Sequence, residues 1–144
     1  NPTRRALALR MGAHEAVAPQ DAADAVARGS RGLGADVVLE MSGVPAAVHQ
    51  AFALARPGGR VQLLGIPSST IDIDFATEII FKGLTVYGVV GRRMYDTWLQ
   101  MTQFLRSGAF DPTPVITHRL PLEAFDEAMR LIQGGEAGKV VFEL

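Results

Sequence analysis

An α/β fold built on a mostly parallel, doubly wound sheet is the class this sequence predicts, and three observations carry that expectation. Apolar runs with strand character alternate with segments of helical period, as in residues 35–41, 45–55 and 60–64. Alternation of this kind implies βα units and hence parallel pairing. The run ADVVLEM is apolar almost without a break, which suits a strand covered on both faces. Glycine stands just past three of the strand runs, at Gly43, Gly65 and Gly91.

Taken in order, residues 3–11 read as a helix, with Pro2 in the favoured first turn and Gly12 as the stop. Ala16-Val17-Ala18 is a short apolar burst with the length of a strand. Residues 21–28 form a short helix with acids early, Arg28 at its end and Gly29 closing it. After the strand 35–41, the helix 45–55 repeats Val48, Ala51, Phe52 and Ala55 as a core stripe. Arg56-Pro57-Gly58-Gly59 reads as a turn before the strand 60–64, and residues 65–69 as a loop. A short helix near 75–81 leads to the apolar strand 84–90. Residues 93–107 make the longest helix, with Met94, Trp98, Met101 and Leu105 on one face. The DPTP loop at 111–114 precedes a strand 115–119, a helix 122–132 and a last strand 139–144. That loop is the expected boundary between a first domain, residues 1–110, and a C-terminal segment, residues 111–144.

Composition excludes several classes. The 144 residues are 48% hydrophobic and 20% charged and contain no Cys, so disulfides, thiolate metal sites and a cysteine nucleophile are excluded. Lys and Arg number 14 against 15 Asp and Glu, which leaves no electrostatic footprint for nucleic acid or an anionic membrane. No apolar run reaches the roughly 18 residues of a membrane span, and no signal segment opens the chain. A soluble, cytoplasmic protein is expected. The chain starts at Asn1 on a helix-opening phrase, NPTRR, and reads as a piece of something longer.

In a doubly wound sheet, ligands bind beyond the carboxyl ends of the strands. That rule selects Met41-Ser42-Gly43, Leu64-Gly65-Ile66-Pro67 and Val89-Val90-Gly91-Arg92, each with a glycine that admits a ligand close to the backbone. No GxGxxG, P-loop, HExxH or GxSxG is present. His14, His49 and His118 lie far apart without metal-ligand spacing and read as surface or structurally bonded histidines. Arg92-Arg93 suits a pyrophosphate or carboxylate, or is simply a solvated pair, and Arg4-Arg5 stands likewise. Trp98 reads as core, and Ser42, Ser68 and Ser69 have no base to activate them.

The phrases RRALALRMGA, ADVVLEMSG, PGGRVQLLGIP, IIFKGLTVYGVVGRRMYDTW and PVITHRLPLEAFDEAMRLIQGGEAGKVV resemble the C-terminal portion of medium-chain zinc-containing alcohol dehydrogenases. The resemblance covers essentially the whole chain. PGGR followed by LLG is general to that superfamily. IFKGLTVYGVVGR with a following TW, together with ITHR, is similar to the branch that oxidises L-threonine.

This resemblance implies a Rossmann-type sheet lacking its first two strands, followed by a strand–helix–strand segment of the catalytic domain. It implies NAD as cofactor, with Arg4 at the adenosine end. Leu64, Gly65, Ile66, Val89 and Val90 would then lie along the nicotinamide, and Arg92 close to the cofactor and substrate pocket. Zinc ligands, proton relay, glycine fingerprint and ribose-binding acid all lie upstream in that family, so zinc belongs to the parent enzyme only. The acid that separates NAD from NADP lies there too. With two strands missing, one of three outcomes is expected: the first ~30 residues pack loosely, the strand 16–18 shifts to pair with the strand 35–41, or another chain fills the gap. The last strand would likewise lack the strands it joins. A homo-oligomer through the edge strand 84–90 is expected. The alternatives are a sister polyol or butanediol dehydrogenase, or a non-catalytic nucleotide-binding or oligomerisation module.

Overall fold

Three parallel strands in the order β1 (Ala35–Glu40), β2 (Ala55–Leu63) and β3 (Thr85–Gly88) form the centre of the unit Pro19–Arg92. The computed structural model describes residues 1–144. Helix α2 (Ala22–Ser30) precedes β1, and helix α3 (Pro45–Leu54) is the crossover from β1 to β2. Pro45 suits the first turn of α3, where its missing N–H leaves no bond unmade. The stripe expected of α3 is buried: Val48, Ala51 and Phe52 face the sheet and meet Ala55 and Val61 of β2. Phe52 is 1% exposed and Val61 is fully covered, each contributing about 1.5–3 kcal/mol by leaving water. Ile71, Ile73, Ile79 and Leu84 close the margin of this core.

The C-terminal end of α3 is met by a cation. The Lys82 ammonium donates to the carbonyls of Phe52 and Ala53, at 2.6 and 3.0 Å, where the helix dipole favours positive charge. Partial burial lowers its pKa from the ordinary value. Residues Phe75–Ile80 form one π-helical turn, with the Phe81 N–H donating five residues back to Ala76. Asp74 caps that turn by accepting from the N–H groups of Ala76 and Thr77.

Three local expectations are corrected. Ala16-Val17-Ala18 forms no strand, neither shifted against β1 nor otherwise. A strand persists only with a ladder partner, and no strand borders the outer edge of β1. Strand β1 is covered on one face only, with Val38 half-buried and Glu40 buried but Val37 and Leu39 exposed. Arg56–Gly59 is a wide bulge inside β2 rather than a turn before it: Ala35 pairs with Ala55 and Val37 with Arg60, so Asp36 alone faces those residues. The Arg56 guanidinium holds the Asp36 carboxylate across this irregularity at 2.6 Å.

The second compact unit comprises Asn1–Ala18 and Arg93–Leu144. Helix α1 (Pro2–Arg10) is capped by Asn1, whose side-chain oxygen accepts from the Arg4 N–H. Helix α4 (Asp96–Arg106) buries none of its residues, and the face expected to be core, Trp98 included, is exposed. Strand β4 (Ile116–Pro121), helix α5 (Phe125–Gln133) and strand β5 (Lys139–Glu143) form a parallel βαβ unit. The last strand therefore has a partner in β4. Ala128 and Ala137 are buried here, and the rings of Phe125 and Phe142 stack at 6.1 Å. His118 lies within β4, its Nδ1 2.9 Å from the Thr117 hydroxyl.

Candidate functional site

The register of the three-stranded sheet sets its carboxyl ends level. Glu40 pairs with Leu63 and Leu63 with Gly88. The ladder runs slightly past these residues: the N–H groups of Leu64 and Gly65 donate to the Glu40 carbonyl at 2.9 and 3.2 Å, and the Val89 N–H donates to the Leu63 carbonyl at 2.9 Å. The segments leaving the three strands therefore emerge on one rim. Leu64, Gly65, Ile66, Val89 and Val90 are brought together there, and Arg92 closes the same unit. Ile66 and Val90 are 84% and 89% exposed, so neither serves the core. Arg4 is in the first turn of α1, in the other unit.

Sequence reasoning missed the residue at the centre of this rim. Glu40 is 4% exposed. Its Oε1 accepts from the Ser42 N–H at 2.8 Å, the Ser42 hydroxyl at 2.5 Å and the Gly43 N–H at 3.1 Å, and its Oε2 also lies 3.1 Å from that Gly43 nitrogen. Burial alone would push this carboxyl up; the Ser42 hydroxyl and the two backbone N–H groups outweigh it and hold it below the ordinary carboxylate value. The signal was available as a lone acid ending an apolar strand just before Ser-Gly.

The glycines divide into two kinds. A Cβ on Gly65 would strike the Gly43 nitrogen and come within 2.7 Å of Glu40 Oε2. Gly43 has φ +70° and a Cβ there would lie 2.6 Å from the Ile66 carbonyl. These two glycines pack backbone against backbone, so close approach of the two strand-end turns explains them. A Cβ on Gly88 or Gly91 would meet only open space.

Two cavities open at this end of the unit. One of about 470 Å³ is lined by Glu40, Leu63, Gly65 and Pro67 together with Val48 of the core and Ile71 of its margin. A second, about 330 Å³ and mainly apolar, is lined by Pro19, Ser42, Val44, Ala46, Ala47 and Gln50. Both volumes suit parts of a small-molecule ligand. Gln50 donates to the Pro19 carbonyl at 2.7 Å and fixes one wall of the second cavity. Glu40 faces the first cavity and Ser42 the second, with their mutual hydrogen bond between.

Titratable groups elsewhere form no second site. His49 Nδ1 lies 2.9 Å from Glu78 Oε2, and this contact is the main cause of the lowered Glu78 pKa. No three His, Cys, Asp or Glu side chains group to hold a metal ion, and the sequence has no Cys, so a zinc ion finds no ligand set among these residues.

Comparison with known proteins agrees with this architecture. Residues 1–107 match the family described as zinc-binding dehydrogenase. The chain is 45% identical over 143 residues to an L-threonine 3-dehydrogenase of Bacillus licheniformis, covering 98% of this chain and 41% of that protein. It is 42% identical to that of Pyrococcus abyssi, again over 98% of this chain and 41% of that protein. It thus spans about two fifths of the length of these relatives. Among solved structures, an alcohol dehydrogenase from Thermus sp. ATN1 superposes with a TM-score of 0.85 at 28% identity, covering 100% of this chain and 42% of the other. A 2R,3R-butanediol dehydrogenase from Bacillus subtilis gives 0.85 at 26%, with the same coverage of 100% and 42%. With its Rossmann-like parallel sheet and a match over more than half its length, this chain belongs to the zinc-binding dehydrogenase family.

Proposed function

We propose that this chain is the cofactor-binding part of an NAD-dependent, zinc-containing dehydrogenase that oxidises L-threonine to 2-amino-3-oxobutanoate. The observation that carries the reading is the level rim of three parallel strand ends, where Leu64, Ile66, Val89 and Val90 present apolar surface that no core residue uses. Such a rim is where open α/β sheets take nucleotides. In this reading Leu64, Gly65, Ile66, Val89 and Val90 lie along the nicotinamide. They exclude water from its face and offer backbone groups to its carboxamide. The apolar cavity beside Ser42 and Val44 takes the adenosine end, and Arg92 stands near the cofactor and substrate pocket. NAD, when bound, accepts a hydride from the substrate. Zinc binding and the proton relay are assigned to the parent enzyme outside these residues, and this chain alone is expected to turn nothing over.

The threonine reading is supported by identities of 41–45% to L-threonine 3-dehydrogenases. Strand β3 leaves all four residues exposed at a sheet edge, which supports a homo-oligomer formed by pairing with its symmetry mate. No helix is long and apolar enough to cross a membrane, and we place the enzyme in the cytoplasm.

The test is NADH formation by the full-length protein with L-threonine and with 2,3-butanediol. A higher kcat/KM for threonine is expected, and preference for the diol overturns the substrate. Binding of NAD without turnover of either would instead establish a non-catalytic module.

A further inference from the structure

We infer that Glu40 is a positioning residue that braces the two halves of the dinucleotide site as one rigid ledge. The inference rests on the reading of these strand ends as an NAD site. One residue makes two sets of bonds in different directions. Its carboxylate gathers the turn after β1, taking the Ser42 N–H, the Ser42 hydroxyl and the Gly43 N–H. Its backbone carbonyl takes the Leu64 and Gly65 N–H groups after β2. Gly65 then lies against both Gly43 and the carboxylate, with no room for a side chain between them. The turn beside the adenosine cavity cannot shift without moving the backbone beside the nicotinamide.

Chemistry gives the reason for an acid here. Burying an ion is costly unless its lone pairs are used, and an aliphatic side chain would fill the same space. It would, however, leave three donors of one short turn without an acceptor. Only an ionised carboxylate presents acceptors alone. A glutamine keeps the volume but sets an NH2 group opposite the Gly43 N–H where Oε2 stood, 3.1 Å from that nitrogen. Ser42 confirms the direction of the network: its hydroxyl donates to Glu40 and accepts from the Val44 N–H at 3.2 Å, so it orients only the adenosine-side turn. Glu40 alone reaches both.

The test uses the full-length enzyme as wild type, Glu40→Gln and Ser42→Ala, titrated with NAD, AMP and nicotinamide mononucleotide. Glu40→Gln is expected to raise the Kd for NAD tenfold or more and to weaken both half-molecules, raising KM for NAD more than it lowers kcat at saturating cofactor. Ser42→Ala is expected to weaken AMP and leave nicotinamide mononucleotide within twofold. A Glu40→Gln enzyme that binds NAD within twofold of wild type, or loses affinity for AMP alone, overturns the brace. Should that variant not fold, hydrogen exchange in the wild type decides: AMP by itself must slow exchange at Leu64 and Gly65, and unchanged rates there overturn the inference. A wild type that binds neither NAD nor AMP overturns the cofactor reading itself, and a wild type that binds both while the brace fails these tests leaves that reading intact.

Discussion

Helices α3 and α4 carry apolar stripes of the same design, three residues each at helical spacing, yet they meet different fates. Val48, Ala51 and Phe52 of α3 are buried, whereas Trp98, Met101 and Leu105 of α4 remain exposed. The difference is topological. Helix α3 connects two strands that pair with each other, so a right-handed crossover lays it on the sheet those strands form. Helix α4 connects β3 and β4, which belong to separate sheets. Periodicity thus says which face of a helix requires cover, and the pairing of the flanking strands decides whether cover is supplied.

The sharpest way to break this comparison is truncation of one residue from each stripe in this chain. Phe52→Ala should cost about 3–5 kcal/mol in urea unfolding, and Trp98→Ala less than about 1 kcal/mol; equal losses would show that α4 is covered after all. Next in size is a pair of glycines. Gly65→Ala drives a methyl group into backbone and should cost about 1–3 kcal/mol or more. Gly88→Ala meets open space and should leave the unfolding midpoint near that of the parent chain.

An acid titration probes the unit Pro19–Arg92. Glu40 and Glu78 both lie below their ordinary value of 4.5, so the unfolded chain binds protons at those sites more readily than the folded one. Their stabilisation is complete above pH 4.5 and is lost as the pH falls through the lower folded values. Both residues belong to the unit Pro19–Arg92, so that unit should lose stability in acid, and Glu40→Gln should flatten the dependence. A smaller effect is expected at Lys82. Replacing it with Ala removes the cation from the end of α3 and should cost about 0.3–1 kcal/mol, less at high salt.

Much of the fold is legible because local rules and tertiary packing agree there. Pro2, Pro45 and the stripe of Val48, Ala51, Phe52 and Ala55 place α1 and α3 correctly, and the apolar runs place the strands of both sheets. Where sequence reasoning departs from the structure, a non-local partner decides. Ala16–Ala18 has strand chemistry without a neighbour to pair with. Arg56–Gly59 has turn chemistry, but the Asp36–Arg56 pair and the continuing ladder absorb it as a bulge. At the candidate site, the position of the rim follows from a topological rule applied to the sequence. Its keystone does not, because Glu40 looks like a flaw in an apolar strand until the donors of Ser42 and Gly43 are seen around it. The same holds for Gly43 and Gly65: a missing side chain shows that something comes close, and only coordinates show that each is close to the other.

The layout of the α3 core has a kinetic meaning as well. All five of its buried residues lie between Val48 and Val61, so their contacts close short loops and lose little chain entropy before the reward of burial arrives. This helix–strand segment is expected to be structured in the folding transition state, with high φ-values at Phe52 and Val61. Strand β3, added at the edge with every residue exposed, should join late and unfold first. The part of the rim that carries Val89 and Val90 would then be the last to be assembled each time the chain folds.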